Sequence, residues 1–230
     1  MAPFRFCAFD AYGTLFDLGS VTLRSAKRLG EAAPMLLALW RQKQLEATWL
    51  RSLMRRHAPF DVVTGEALRY AMEELGVKDQ ALERELMESF RTVAPYPDVR
   101  PALEELGREG VRCAILSNGT PAMLEAALEA SSLGGLIAPV LSVETAGVYK
   151  PDPRVYALLE EASGLPPHEI AFVSANRWDA AGAASYGLGV FWLNRTGARP
   201  EPLPGSLLAT VASMGELPAA LRVVPSPNGA

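Results

Sequence analysis

Hydrophobic residues occur along the chain in two alternating patterns, short continuous runs and longer runs with a helical period. The first continuous run covers residues 3–10, is rich in Phe, and ends at the polar residue Asp10. Such a run is typical of a buried strand. Further strands are predicted at 111–116, 140–143, 170–173 and 189–193, with helices at 99–108, 122–129, 154–162 and 178–185. This alternation predicts a parallel sheet that is covered by helices on both faces.

The segment from residue 20 to about residue 93 lacks this alternation and has helical periodicity throughout. Helices are predicted at 35–57, 64–75 and 79–93, and Pro95 and Pro97 then stop the helical pattern. We therefore predict an α/β fold, a Rossmann-like mostly parallel sheet core with an inserted helical cap subdomain. The predicted core comprises residues 1–17 and 97–222, and the predicted cap comprises residues 18–96. Residues 223–230 are predicted to be a disordered tail.

Composition excludes several classes of protein. Lys and Arg number 22 and Asp and Glu 26, a net charge of −4, which argues against nucleic-acid or membrane-surface binding. Two His and two Cys leave few ligands for zinc and no basis for a disulfide scaffold. No basic segment followed by an apolar run opens the sequence, and apolar stretches are shorter than a membrane span. We expect a reduced, cytoplasmic protein.

Polar residues follow four of the predicted strands. They are Asp10 and Thr14 after the first, Ser117 and Asn118 after the second, Lys150 after the third, and Ser174, Asn176 and Asp179 after the fourth. Each residue alone is equally consistent with a turn or a helix cap. In a parallel sheet, however, the carboxyl ends of the strands meet at one edge, where ligands bind. The cluster suits nucleophilic catalysis by Asp10, with Lys150 as its cation and Asp179 as a base for water.

Four motifs carry a resemblance to a known family. Segments 9–17, 117–119, 149–151 and 174–179 resemble the four motifs of the haloacid dehalogenase superfamily. Segment 40–46, which reads Trp-Arg-Gln-Lys-Gln-Leu-Glu, resembles the cap-helix signature of its L-2-haloacid dehalogenases. The resemblance extends from about Phe6 to Arg195.

Tyr12 distinguishes this chain from the phosphatases of that superfamily. Phosphatases carry a second Asp two residues after the nucleophile, which protonates the leaving group and helps to bind magnesium. Here Tyr12 takes that position, and Ser174 and Asn176 take positions near Asp179 where a paired acid would stand. Because a halide departs without a proton, the resemblance implies dehalogenation with no metal and no cofactor.

The resemblance also implies a role for each site residue. Asp10 would displace the halide from C2 of a short-chain L-2-haloalkanoate, with inversion, to give an aspartyl ester. Asp179 and Asn176 would then activate the water that releases a D-2-hydroxyalkanoate. Lys150 would pair with Asp10, while Thr14 and Ser174 would hold the carboxylates. The residues implied to contact substrate or halide are Arg41, Asn118, Ser117, Tyr12, Gln42, Leu45, Phe60, Tyr156 and Trp178.

Two alternatives remain open at this stage, and one departure from the family is evident. The chain could be a phosphatase or phosphonate hydrolase on the same scaffold, or a catalytically silent binder of a small carboxylate or a protein. Ala175 stands where the family often has Ser, which we expect to tune the site. The expected partners are a 2-haloacid and halide, with a homodimer formed through the long predicted cap helix.

Overall fold

The computed structural model describes residues 4–224, whose centre is a six-stranded sheet with every strand parallel. Its strands are β1 (Phe6–Phe9), β2 (Arg112–Ser117), β3 (Val140–Ser142), β4 (Ile170–Ser174), β5 (Gly189–Leu193) and β6 (Ala209–Val211). They lie in the order β3-β2-β1-β4-β5-β6. The order reverses between β1 and β4, and ligands of such sheets bind beyond the carboxyl ends at that point. Asp10 lies there, directly after β1.

Helices cover the sheet and form a separate helical region between β1 and β2. That region contains α1 (Gly19–Leu23), α2 (Ala26–Leu29), α3 (Ala32–Leu53), α4 (Phe60–Glu74) and α5 (Gln80–Arg91). The helices of the sheet layer are α6 (Val99–Arg108), α7 (Pro121–Ser131), α8 (Pro153–Ser163), α9 (Arg177–Tyr186) and α10 (Leu217–Val223). The predicted α/β fold with an inserted helical cap is confirmed.

The two connectors between cap and core run side by side. The backbone N–H of Asp17 donates to the carbonyl of Ala94 at 2.8 Å, and that of Tyr96 donates to Leu15 at 3.0 Å. These two hydrogen bonds join the connector that enters the cap to the connector that leaves it. They fix where the cap begins relative to the sheet. The domain boundaries at 17/18 and 96/97 stay a prediction, and residues 225–230 of the predicted tail lie outside the described residues.

Several predicted element ends were wrong, and the structure gives the physical reasons. The long cap helix ends at Leu53 and not at residue 57, because Arg55 adopts a positive φ of 55°. The next helix begins at Phe60 and not at residue 64, since Pro59 is its N-cap. The prediction missed β6 and α10, where short segments carry too little periodicity. Within the described range, no helix has the length and hydropathy to cross a membrane.

Candidate active site

Asp10 lies at the carboxyl end of β1 with its carboxylate oriented by three donors. Lys150 Nζ lies 3.2 Å from Oδ1, while Thr14 Oγ1 donates to Oδ2 at 3.1 Å. Asn176 Nδ2 also donates to Oδ2, at 2.8 Å. The side chain is largely buried, with 7% of the residue's surface exposed. The sheet therefore presents a fixed carboxylate at the point where its strand order reverses.

Lys150 lies between two carboxylates in the interior of the protein. Its Nζ is 3.2 Å from Asp10 Oδ1 and 2.9 Å from Asp179 Oδ2, and only 1% of the residue is exposed. Burial by itself lowers the pKa of an ammonium, but the two carboxylates outweigh it and raise the pKa of Lys150 above its ordinary value. Lys150 is therefore a cation at neutral pH that holds the two acids in one cluster.

Asp179 lies in the first turn of α9 and is completely buried. Tyr156 Oη donates to its Oδ1 at 2.8 Å, and Lys150 donates to its Oδ2. Burial raises the pKa of Asp179, and the charge of Lys150 opposes this effect. The prediction that Tyr156 lines the pocket was wrong, because its hydroxyl lies behind Asp179. Gly182 permits this approach, since a Cβ there would lie 2.6 Å from Tyr156 Oη.

The hydroxyls of Thr14 and Ser174 have different roles from each other. Thr14 Oγ1 donates to Asp10 and accepts the backbone N–H of Ala175 at 2.9 Å. Ser174 Oγ instead accepts the backbone N–H of Asn176 at 3.1 Å, so it shapes the turn before α9. The expectation that Ser174 holds a carboxylate was wrong. Ala175 contributes to the site through its backbone, which needs no hydroxyl at that position.

The loop after β2 brings Ser117 and Asn118 to the same edge. Ser117 Oγ accepts the backbone N–H of Gly119 at 3.1 Å. Asn118 Oδ1 accepts the backbone N–H of Lys150 at 3.2 Å, which leaves its amide NH₂ as the donor for a ligand. Gly119 is required at its position, because a Cβ would lie 2.9 Å from the ring of Tyr12.

The cap contributes the opposite wall from α3 and the start of α4. Arg41 and Leu45 project from the inner face of α3, and Arg41 Nη1 donates to Gln44 Oε1. Burial lowers the pKa of Arg41 to about 10, while Asp10 and Tyr12 oppose that shift. Arg41 is therefore still a cation at neutral pH. Gln42 was predicted to line the pocket but is exposed, because one helical step of 100° turns it away from Arg41.

Tyr12 is a neutral, buried phenol on the floor of this arrangement. Its ring centroid lies 4.8 Å from that of Phe90 and 6.3 Å from that of Phe60. Burial raises its pKa far above the ordinary value. Its hydroxyl has no hydrogen-bond partner within residues 4–224. An uncharged ring thus occupies the space next to the Asp10 carboxylate.

Together these walls enclose a cavity of about 20 Å³, enough for about one water molecule. It is lined by Asp10, Tyr12, Arg41, Leu45, Phe60, Ser117, Asn118, Asn176 and Trp178. Lys150, Asp179, Thr14, Ser174 and Tyr156 lie behind this lining. Beside it, a larger recess of about 390 Å³ is bordered by Trp49, Leu53, Tyr149 and Trp178. A cavity of this volume must widen to admit an organic acid.

Comparison with known proteins identifies the family. The haloacid dehalogenase-like hydrolase family model matches residues 4–187. The (S)-2-haloacid dehalogenase 4A of Burkholderia cepacia is 42% identical over 214 residues, which cover 93% of each chain. The (S)-2-haloacid dehalogenase of Pseudomonas sp. strain YL is 46% identical over 191 residues, covering 83% of this chain and 82% of the relative. The chain belongs to the (S)-2-haloacid dehalogenase family.

A solved structure of this family has the same fold over nearly the whole chain. The L-2-haloacid dehalogenase of Xanthobacter autotrophicus, solved with chloropropionic acid covalently bound, superposes with a TM-score of 0.89 at 35% identity. The match covers 96% of this chain and all of that one. The predicted resemblance to L-2-haloacid dehalogenases is confirmed.

The site does not fit the magnesium ion that phosphatases on this scaffold use. Magnesium requires several oxygen ligands in a near-octahedral arrangement. Here the ammonium of Lys150 lies between Asp10 and Asp179, and Tyr12 places a carbon ring where another acid would be needed. Among residues 4–224, no group of three or more His, Cys, Asp or Glu side chains is arranged to hold a metal. No step of the reaction is therefore assigned to a metal.

Sequence reasoning missed three residues that the structure connects to this dehalogenase site. Gln44 accepts from Arg41 and donates to Thr64 at 2.5 Å, and its place three residues after Arg41 on one helix was a usable signal. Glu144 and Tyr149 contact the loop that leads to Phe60. These contacts join residues more than 80 positions apart, and no local pattern could have indicated them.

Proposed function

We propose that the chain hydrolyses short-chain L-2-haloalkanoates to D-2-hydroxyalkanoates through an ester of Asp10. The observation that carries this proposal is the Asp10 carboxylate itself. It is fixed by three donors at the edge of a cavity that apolar side chains, three neutral polar side chains and one cation, Arg41, also line. Relatives named (S)-2-haloacid dehalogenases, about 40% identical over most of the chain, support the same reaction.

In the first step an Asp10 oxygen attacks C2 of the substrate from the side opposite the halogen. A C2–oxygen bond forms, the carbon–halogen bond breaks with its electron pair, and configuration at C2 inverts. Arg41 and the amide NH₂ of Asn118 would stabilise the departing halide, which needs no proton. Ser117 and backbone N–H groups at the start of α7 would bind the substrate carboxylate.

In the second step water attacks the carbonyl carbon of the Asp10 ester. Asp179, whose pKa is raised by burial, would take a proton from that water. The acyl–oxygen bond then breaks, the leaving alkoxide takes a proton back, and the Asp10 acid releases its proton to solvent. Asn176, bonded to Asp10 Oδ2, would orient the attack.

The experiment that tests this function is chloride release from L-2-chloropropanoate by purified protein in EDTA. We expect turnover of the L enantiomer, D-lactate as product, and rates unchanged by added magnesium. The D enantiomer is the matched control. No chloride release, together with magnesium-dependent cleavage of an aryl phosphate, would favour the phosphatase alternative. Failure with both substrates would favour a silent binder.

We also propose that the protein is a homodimer in the cytoplasm. The C-terminal end of α3 exposes Trp49, Leu50 and Leu53, with Met54 directly after it, and Leu53 is 82% exposed. A face of this kind is typical of a surface that a second copy covers. The buried, unpaired Cys7 and Cys113 suit a reducing compartment. Light scattering after size exclusion should give a mass of two chains, which Leu53→Asp should reduce to one.

A further inference from the structure

A carboxylate outside the catalytic cluster connects the core to the cap wall of the cavity. Glu144 follows β3 in a short 3₁₀ helix of the core. Its Oε1 accepts the backbone N–H of Phe60 at 3.0 Å, and its Oε2 lies 2.8 Å from His57 Nε2. The Glu144 and His57 side chains are each 22% exposed. One core side chain thus makes two bonds to the loop that precedes α4.

Tyr149 makes a second set of contacts to the same part of the cap. Its Oη donates to the carbonyl of Ala58, and its backbone N–H donates to Ser52 Oγ at 3.1 Å. Its ring centroid lies 4.9 Å from that of His57 and 6.0 Å from that of Phe60. We call Glu144 and Tyr149, with the cap residues His57, Ala58 and Phe60, the cap–core clasp.

Both the cap residues and the core residues of the clasp adjoin the active site. On the cap side, Phe60 is a wall of the cavity. On the core side, Tyr149 immediately precedes Lys150. Ser142 Oγ accepts the backbone N–H of Glu144 at 3.2 Å and donates to the carbonyl of Gly119 at 2.7 Å, next to Asn118. Glu144 is thereby tied to the loop that presents Asn118 to the ligand.

Helix α4 relies on Glu144 for the N–H of its first residue, because Asp61 of the helix itself accepts the N–H of Val62 and not that of Phe60. The first N–H groups of any helix have no acceptor inside the helix. Pro59 occupies the N-cap position and has no side-chain oxygen that could accept one of them. Phe60 is the first residue of α4, and the carboxylate of Glu144 supplies the missing acceptor from the core, where negative charge also suits the helix dipole. The first N–H of this cap helix therefore has its acceptor on the core.

We propose that Glu144 is a positioning residue that fixes Phe60 as the cavity wall and thereby controls substrate affinity. It acts through Phe60 and does not touch the reacting atoms. The inference rests on the proposed function, because its kinetic consequence is measured on a haloacid. With Glu144 removed, the N–H of Phe60 loses its acceptor, the start of α4 loosens, and the cavity no longer closes around the substrate.

Two variants of Glu144 and one control test this proposal. Glu144→Ala removes both bonds, whereas Glu144→Gln retains an oxygen that can accept the Phe60 N–H. Glu83→Gln, the matched control, disrupts an ion pair with Arg69 that lies within the cap. For each protein, KM and kcat for L-2-chloropropanoate would be measured well below its thermal midpoint. Hydrogen exchange of the Phe60 amide would be measured in parallel.

The expected result is a rise in KM of about tenfold for Glu144→Ala, with kcat changed by less than about threefold. Exchange of the Phe60 amide should accelerate by at least about tenfold in the same variant. Glu144→Gln should restore KM to within about threefold of the wild-type value, and Glu83→Gln should match wild type in both readouts. This split between KM and kcat separates positioning from a general loss of folded protein.

An unchanged KM in Glu144→Ala would overturn the proposal, even if its thermal midpoint falls. So would unchanged Phe60 exchange, because the clasp would then not hold α4. A wild-type protein that releases no chloride would instead refute the proposed function. In that case the exchange measurement still decides whether Glu144 holds Phe60.

Discussion

The two walls of the cavity are built in different ways. On the core side, Asp10, Lys150 and Asp179 form one buried cluster in which each charged group bonds to its neighbour. On the cap side, apolar surfaces of Leu45 and Phe60 surround one cation, whose guanidinium donates to a side chain of its own helix. The core wall is preorganised for charge, as catalysis requires.

The two walls also differ in the free energy that it costs to bury their charged groups. Burial of charges is expensive, and a buried ion pair often adds little net stability compared with apolar packing. The Lys150 cluster therefore makes sense as a reactive centre and not as a means of stabilising the fold. The cap wall holds one charge, Arg41, whose side chain is only partly buried, so its residues can change with less effect on stability. Substitutions in the two walls should therefore affect catalysis and stability to different extents.

The largest effect on activity is expected for Asp10→Asn. The amide cannot form the ester, so chloride release should fall by about 10⁴-fold or more. The fold should persist, because Lys150 keeps its bond to Asp179. Chloride release and circular dichroism measure the two properties separately. Residual activity above about one hundredth of wild type would show that Asp10 is not the nucleophile.

Lys150→Met should affect both catalysis and stability. It leaves two buried carboxylates without their cation, and the free energy of unfolding should fall by about 3–5 kcal/mol. The pKa of Lys150 is raised in the folded state above its ordinary value of 10.5. Its stabilisation is therefore fully present below pH 10.5 and is lost as the pH rises above it.

Urea unfolding of wild type and Lys150→Met at pH 8 and pH 11 measures this dependence. The difference in free energy of unfolding between the two proteins should shrink at the higher pH. A difference that stays constant or grows would mean that Lys150 is not held as a buried cation.

Arg41→Ala should affect catalysis far more than stability. Loss of the cation that faces the halide should lower kcat/KM by about 10²-fold. Arg41 is partly exposed on α3, so the free energy of unfolding should change by only about 1 kcal/mol. Steady-state kinetics and urea unfolding provide the comparison. A stability loss as large as that of Lys150→Met would remove the contrast between the two walls.

The smallest effect is expected for Tyr12→Phe. The hydroxyl is buried and has no hydrogen-bond partner in the part of the chain that the structure describes, so its removal should leave stability unchanged or raise it by about 1 kcal/mol. Activity should stay within about threefold of wild type if the ring serves as an apolar wall. Tyr12→Ala is the contrasting variant and should cost about 3–5 kcal/mol through the cavity that it leaves. A large loss of activity in Tyr12→Phe would mean that the hydroxyl contacts the substrate.

The core wall could be predicted from the sequence because it follows from strand topology. Each of the three charged residues, Asp10, Lys150 and Asp179, lies beyond the carboxyl end of a strand. Because the strands are parallel, these carboxyl ends meet at one edge of the sheet. Tyr156 was misassigned because its spacing on α8 is equally compatible with the pocket and the interior. Packing against Gly182, a residue of another helix, decides between these positions.

The cap wall was harder to predict, and for a physical reason. Arg41 and Leu45 could be assigned to one face of α3 by helical spacing, but Gln42 could not be excluded before the rotation of the helix about its axis was known. Glu144 was missed entirely, because the bond that it makes to Phe60 joins residues 84 positions apart. Contacts between cap and core depend on closure, which hydrophobic periodicity does not encode.

A single turnover in oxygen-18 water tests the central claim most directly, namely that Asp10 forms a covalent ester. Enzyme in excess over L-2-chloropropanoate would be digested after one turnover, and the peptide that contains Asp10 weighed by mass spectrometry. The account predicts one oxygen-18 in the Asp10 carboxylate and none in the released hydroxyl group. Label in the hydroxy acid, with an unlabelled Asp10 peptide, would mean that water attacks the substrate directly and would contradict it.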